Sequence, residues 1–315
     1  MRETSFVNDK IVAIAGGSGF IGGAIARRLG AIAGLRPRIL TRNPEAARRQ
    51  FDGSTIEFAR AEIADPGSLK TALEGAHAIV NAIQFDGYPI ENPARALTFE
   101  RVDYGGTIAL LEAGKPAGAG RFVYISGAAA DESSSHPAFR AKGKAERAIR
   151  ESGIPYTILR PSLVYGPGDK VVSGFARALR FAPLFPVPGT GRQKLQPVLV
   201  DDLAACVALA LAGRGINGTY EIGGPELMTF DELIRLVMAI TGRRRPIVHI
   251  PEALMRAAGA IAEKLPGALF SRDAVTFVTA DNACDIEPLV AEFGIQLAPA
   301  WKAMAYLARP GDHTH

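Results

Sequence analysis

The stretch "IVAIAGGSGFIGGAIARRLG", residues 11–30, is an apolar run broken by Gly16, Gly17, Gly19, Gly22 and Gly23. An export signal also places basic residues before an apolar run, and Arg2 and Lys10 stand in that position here. The glycines argue against a signal, because they would weaken any isolated helix. Arg27-Arg28 also follows where small residues would mark a cleavage site. A second reading accounts for every glycine. Lys10–Ala15 is rich in β-branched residues and reads as a buried strand, and Phe20–Leu29 has helical spacing. The sequence is strand, glycine turn, helix.

The pattern then repeats strand and helix in alternation. "PRILTR" (37–42), "TIEFAR" (55–60), "HAIVNAI" (77–83), "RFVYISG" (121–127) and "YTILRP" (156–161) are apolar strands. Helical stretches near 66–74, 97–114 and 138–152 separate them, and Asn43-Pro44-Glu45 opens another helix with an N-cap and an N1 proline. Such alternation predicts an α/β fold, a doubly wound parallel sheet with both faces covered. After Tyr165 the texture becomes rich in Pro and Gly. Short strands in "LQPVLV", "GTYEIGG" and "RRPIVHI" lie among helices at 201–213, 229–241 and 251–263. The expected division is a dinucleotide-binding domain at 8–165 and a smaller substrate-binding region at 166–310, some segments of which return to the main sheet. A disordered tail is expected at 311–315.

Composition narrows the class. The chain has 315 residues, 48% hydrophobic and 22% charged, with a net charge of +4, the balance of an ordinary globular protein. Basic residues occur in small clusters without interleaved aromatics, which argues against nucleic-acid binding. Cys206 and Cys284 have no CxxC or paired His around them, so no metal site and no disulfide framework is expected; two buried thiols in a reducing, cytoplasmic compartment are. No apolar run of membrane-spanning length escapes glycine or charge.

A parallel sheet whose first strand enters G-x-x-G-x-x-G at a helix start is a dinucleotide site. Gly16 permits the tight turn, Gly19 admits the pyrophosphate, and Gly22 lets helix and strand pack closely. The amides around Ser18, Gly19, Phe20 and Ile21 face the phosphates, aided by the helix dipole. An NAD site usually places an acid after the second strand. Here Thr41-Arg42-Asn43 stand there, and an arginine fork suits a 2′-phosphate. NADP(H) is the expected cofactor, with NAD(H) the alternative. Glu62 and Ile63 are expected near the adenine, and Ala82 near the nicotinamide ribose.

These residues, with "RVDYGGT" (101–107), "RPSLVYGPGD" (160–169), "LQPVLVDDLA" (195–204) and "YEIGGPELMTF" (220–230), resemble the short-chain dehydrogenase/reductase superfamily in its extended or atypical branch. The similarity spans nearly the whole chain. It is nearest to the subgroup holding the dehydrogenase-like accessory subunit of respiratory complex I and related bacterial proteins. The resemblance implies a Rossmann core and a nicotinamide pocket bordered by Pro161, Ser162 and Leu163. It also implies a catalytic Tyr, a Lys four residues later and a Ser or Thr. The lysine falls on Lys142, the tyrosine position on Ala138, and the serine position on Gly127, one residue after Ser126. Shifting the register to Lys144 places Arg140 at the tyrosine position. Neither register supplies a phenol.

Two functions follow as expectations. One is an NADPH-dependent ketoreductase acting without the tyrosine. Its proton would come by way of Lys142, from His136 in the loop before Ala138, from Ser126 or from Tyr165. Phe85, Tyr88, Phe139, Tyr165, Phe175, Phe181, Leu184 and Phe185 would give an apolar lining for a small apolar carbonyl substrate. The other is a non-catalytic NADP(H)-binding subunit of a larger assembly. A homodimer is a further possibility.

Overall fold

The computed structural model describes residues 9–51, 55–262 and 272–308. The expected tail, and the outer ends of both expected domains, lie outside the described residues. Seven parallel strands form the central sheet, in the order β11-β6-β5-β4-β1-β2-β3. They are β1 (Lys10–Ala15), β2 (Leu35–Thr41), β3 (Glu57–Arg60), β4 (Ala76–Asn81), β5 (Phe122–Ile125), β6 (Tyr156–Pro161) and β11 (Gly218–Ile222). Succession reverses at β1. The chain moves outward through β2 and β3, then returns to β4 on the other side. The carboxyl ends of β1 and β4 therefore flank a switch-point crevice, where ligands of open α/β sheets bind.

Helix starts follow local chemistry. Helix α1 (Phe20–Gly30) begins at the glycine turn. Helix α2 (Pro44–Arg48) is capped by the Asn43 side chain, and α3 (Pro66–Ala72) by Asp65, each with proline at its first position. A π-helical turn, Phe99–Tyr104, leads into α4 (Gly105–Gly114), and α5 is Pro137–Glu151. One face of the sheet packs against α1, α7 (Val200–Leu211) and α11 (Glu287–Phe293). The other face packs against α3, α4 and α5. So α7, β11 and α11, all from the second half of the chain, complete the first half's sheet and its cover.

The rest of the second half forms a lobe with its own core. It comprises β7 (Val164–Tyr165), α6 (Val172–Phe181), β8 (Phe185–Pro188), β9 (Lys194–Leu195), β10 (Val198–Leu199), β12 (Met228–Thr229), α8 (Phe230–Ile240), β13 (Ile247–Ile250), α9 (Glu252–Ala262), α10 (Arg272–Thr279) and α12 (Ala300–Ala303). A reciprocal cap between Thr229 and Glu232 starts α8. Cys206 is buried as expected, whereas Cys284 is only half-buried; burial pushes both thiols up to about 12. Among the described residues no cluster of metal-ligating side chains occurs, and no helix is long and apolar enough to cross a membrane.

Candidate dinucleotide site

The three glycines do different work. Gly16 has φ +77°, and a Cβ there would lie 2.3 Å from the Ala82 carbonyl oxygen. A Cβ on Gly22 would lie 2.2 Å from the Gly16 carbonyl oxygen. These two allow β1, β4 and α1 to meet. A Cβ on Gly19 would meet only the Gly16 oxygen, at 3.2 Å, so the space beyond it is open. Gly19 is the N-cap of α1, where no side chain caps the helix and no acid stands in the first turn. The first-turn amides of Phe20, Ile21 and Gly22 precede the intrahelical ladder and are left for an anion, as the exposed Ser18-Gly19 corner requires. This cradle fits a pyrophosphate.

At the ends of β2 and β4 the structure adds a residue that the sequence reading passed over. Arg42 Nη2 donates to Asp86 Oδ2 at 2.7 Å, with both side chains largely exposed. Strand β1 lies between β2 and β4, so this ion pair spans the crevice mouth above the glycine turn. Asn43 has a committed side chain, accepting from the Ala46 amide at 3.1 Å to cap α2. Thr41 Oγ1 accepts from the Asn43 amide at 3.2 Å. Glu62 holds the turn after β3, its amide donating to Ser68 Oγ at 3.0 Å. Ile63 is half-buried beside Ile83 against Gly106. The Ala82 amide donates to the Ala15 carbonyl at 3.0 Å, which pins the end of β4 to the end of β1.

The inward face of α5 carries Ala138, Ala141, Lys142, Ala145, Glu146 and Ile149. Its two charged members each have a partner. Lys142 Nζ lies 3.4 Å from Asp103 Oδ1, with both side chains buried, and 5.6 Å from the centre of the Tyr124 ring. Burial pushes the Asp103 carboxyl above its ordinary range, while Lys142 draws it back. Burial, with the charges of Asp103 and Glu146, pushes the Tyr124 phenol well up. Asp103 stands in the π-helical turn, one residue from its end. Close by, Asn81 Nδ2 donates to Thr107 Oγ1 at 2.9 Å, and Thr107 Oγ1 donates to the Asp103 carbonyl at 2.6 Å.

Glu146 is fully buried and gathers four hydrogen bonds. Arg160 donates twice, at 2.8 and 2.6 Å, Arg150 once at 2.7 Å, and Ser126 Oγ once at 2.6 Å. The Ser126 hydroxyl is thus committed to a structural carboxylate, which corrects its reading as a donor to substrate. Tyr165 has no exposed surface, and burial raises its phenol above the ordinary value. His136 is half-buried, its ring 4.7 Å from that of Phe139 and 6.4 Å from that of Phe99. Ser162 Oγ donates to the Asn282 carbonyl at 2.8 Å and accepts from the Gln196 amide at 3.2 Å. Pro161 and Leu163 bond through their carbonyls to the Ala128 and Val198 amides, so this segment ties β6 to the lobe.

The single apolar lining expected from the sequence divides in three. Phe85, Tyr88 and Phe139 join Phe99, Val102, Ala138 and Ala141 in one cluster beside Lys142. Phe85 and Phe99 are edge-to-face at 5.0 Å. Ala138, 1% exposed, packs within this aromatic cluster. Phe175, Phe185 and Tyr165 belong to the core of the second lobe. Phe181 and Leu184 face outward, 79% and 41% exposed, at and just after the end of α6, whose inward face is held by Leu179. Asp103, Glu146, Arg160 and Asp86 were not singled out beforehand. The signal for the first two was present, as acids on apolar helical faces, Glu146 four residues after Lys142.

The sequence profile of a family described as NAD(P)H-binding matches residues 16–173, half of the chain. The chain belongs to that family. Among curated proteins it is 26% identical over 294 residues to the mitochondrial NADH dehydrogenase [ubiquinone] 1 alpha subcomplex subunit 9 of Arabidopsis thaliana, covering 88% of this chain and 72% of that one. It is 28% identical over 256 residues to the ceramide reductase of Caulobacter vibrioides, covering 80% and 77%. In fold it is similar to the NADPH-dependent quinone oxidoreductase of Escherichia coli in complex with NADPH, with a TM-score of 0.74 at 21% identity over 94% of this chain and 99% of the other. The protein is an NAD(P)H-binding protein with a Rossmann-like α/β fold.

Proposed function

We propose that this protein is an NADPH-dependent reductase of a ketone carried on an apolar molecule. The carrying observation is the buried Lys142–Asp103 pair beside an intact phosphate cradle and under the Phe85–Phe99 wall. NADPH supplies a hydride to a carbonyl carbon. The chain's own part begins with Gly19 and the first-turn amides, which hold the pyrophosphate, and Arg42, which turns from Asp86 to the 2′-phosphate. Lys142 orients the nicotinamide ribose and donates to the carbonyl oxygen, to which it passes a proton. Asp103 holds the Lys142 ammonium in place and is its counter-charge. The aromatic wall excludes water and accepts an apolar substituent of the substrate. The likeness to a ceramide reductase supports a ketone with long apolar arms.

The test is NADPH oxidation by the purified chain with matched ketones of rising chain length, and product identification by mass spectrometry. Stoichiometric alcohol formation, favouring the longer ketones, is expected. Bound NADPH with no oxidation by any ketone would overturn the reading. It would favour a second one, a cofactor-holding subunit of a larger assembly. One observation supports that second reading: Ser126 is already committed within the protein, and no phenol stands at position 138.

A further inference from the structure

The outer side of the second lobe carries a charge and an apolarity that the dinucleotide site does not use. Residues 170–200 and 233–251 contain nine Lys and Arg and no Asp or Glu, leaving 27 basic against 32 acidic residues elsewhere. The whole chain is +4, so the rest of it is net acidic and the positive charge is concentrated here. The same segments hold α6, β8, β9, β10, most of α8, β13 and the turns between them.

Apolar side chains face out among these cations. On α6, Arg177, Arg180 and Phe181 are exposed at helical spacing i, i+3 and i+4, so they share one face. Phe181 is 79% exposed, with the Arg180 guanidinium 5.6 Å from its ring centre. Leu184 follows at 41%. In the β8–β13 ribbon, Pro186 pairs with Val248, and both are exposed while Phe185 and Val187 turn inward. Arg243, Arg244 and Arg245 lead into β13.

The element after the ribbon repeats the pattern. Helix α9 buries only Gly259. Its Leu254, Ala257, Ala258 and Ile261 are exposed at i, i+3, i+4 and i+7, with Leu254 at 61% and Ile261 at 68%. An apolar stripe at that spacing normally faces a core. Exposed apolar surface of this extent marks an interaction site.

We infer that this face of the second lobe docks on an anionic lipid bilayer surface, with Phe181, Leu184, Val248 and the α9 stripe entering the interface and the arginines on the headgroups. The charge chooses the partner. Of these nine cations Arg235 is paired with Asp231, just outside the segments; the remaining positive excess fits a negatively charged plane, and aliphatic side chains fit acyl chains rather than stacked bases. Arginine stems lie along apolar surface while their heads stay with phosphates. Docking of this kind needs no membrane-spanning helix. It would also bring the dinucleotide crevice to a lipid-borne ketone, though the docking itself does not depend on turnover.

The test is sedimentation of the whole protein with vesicles of phosphatidylcholine, alone or containing phosphatidylglycerol, with circular dichroism and NADPH affinity as folding controls. Binding is expected with phosphatidylglycerol, weakening as salt is raised. Arg177→Gln with Arg180→Gln should lower the partition coefficient by roughly 25-fold, about fivefold per charge. Phe181→Ser with Leu184→Ser should lower it by about tenfold or more, from lost apolar burial. Absence of vesicle binding, or equal binding of wild type and variants to both vesicle types, would overturn the proposal. So would a concentration-dependent dimer that Phe181→Ser dissolves without any vesicle binding, since the face would then pair copies of the chain. Failure of ketone reduction with intact vesicle binding would leave this inference standing and remove only the reductase reading.

Discussion

At the scale of single residues, the proposed cofactor would compete with Asp86 for Arg42 at the crevice mouth. Its guanidinium is 2.7 Å from Asp86, in a pair open to solvent. Exposed pairs contribute little, so a 2′-phosphate can displace Asp86. Arg42→Ala should weaken NADPH by roughly tenfold to a hundredfold, the loss of a bond to a charged group, and leave NADH almost unchanged. Asp86→Asn should tighten NADPH by up to about fivefold without affecting NADH. Calorimetric titration of both cofactors checks this; equal effects on the two would show that the pair shapes the loop instead. Arg42 was legible in the sequence because an arginine after the second strand has a recognised electrostatic meaning. Asp86 was not, because only the reversal of strand order at β1 brings residue 86 across to residue 42.

The Lys142–Asp103 pair makes a second residue-scale prediction. Burial raises the Asp103 carboxyl, so it takes up its proton at a higher pH than an exposed aspartate. Once protonated it loses its hold on Lys142. Cofactor affinity should therefore be full above this raised value and fall as pH drops through it. The groups around it set the value: Lys142 on α5 lowers it, while Glu91 in the loop after β4 raises it; the Tyr124 phenol on β5, pushed far up, stays neutral there. In Asp103→Asn the acid-side fall should flatten, with the high-pH affinity already reduced. A pH series of NADPH and NADH binding on both proteins separates this from titration of the cofactor's own phosphate. An unchanged slope in the variant would mean that another group governs the profile.

At the scale of elements, α5 is both the site's floor and a structural strut. Its inward stripe was readable as a helical period, and Lys142 on it was identified by resemblance. The role of Glu146 was hidden because its partners come from β5, from β6 and from the next turn of the same helix. Removing the carboxylate would leave Arg160 and Arg150 without their anion; both reach solvent, so the loss should fall below the roughly 3–5 kcal/mol typical of breaking a fully buried pair, at about 1–3 kcal/mol. Glu146→Ala should lower the denaturation midpoint accordingly. Glu146→Gln, which keeps acceptors but not charge, should lose less. If both variants unfold at the wild-type midpoint, the network is incidental to the helix. The glycine turn shows the opposite case. Gly16 and Gly22 were assigned from spacing alone, because a Cβ there would lie 2.3 and 2.2 Å from a carbonyl oxygen, which leaves no room for other residues.

At the scale of the whole molecule, the sequence suggests a boundary at Tyr165 with some later segments returning to the main sheet, and we propose that the two parts fold as one unit. Texture records where proline and glycine turns begin. It does not record where later strands are used. Strand β11 pairs with β6 along its full length, from Gly218 opposite Thr157 to Ile222 opposite Pro161. Leu203, Cys206, Val207 and Ala210 of α7, with Leu289 and Phe293 of α11, fill the same core as Ile25 and Leu29 of α1. Arg121, at the foot of β5, donates to the carbonyls of Ala210 and Arg214 at 3.2 and 2.8 Å, and burial pulls its guanidinium down. A fragment ending at Tyr165 would expose that apolar face, leave β6 as a bare edge and strand a buried cation. It should show no cooperative thermal transition and no NADPH binding, although it holds the entire glycine turn. The whole chain should melt in one transition. NADPH at about 100 times its Kd should raise its stability by about 2.7 kcal/mol, roughly 4 °C for a chain of this size. Calorimetry on both proteins decides. A fragment that melts cooperatively and is raised by NADPH would mean that the first half folds alone, and that β11 and α7 only decorate a sheet already complete.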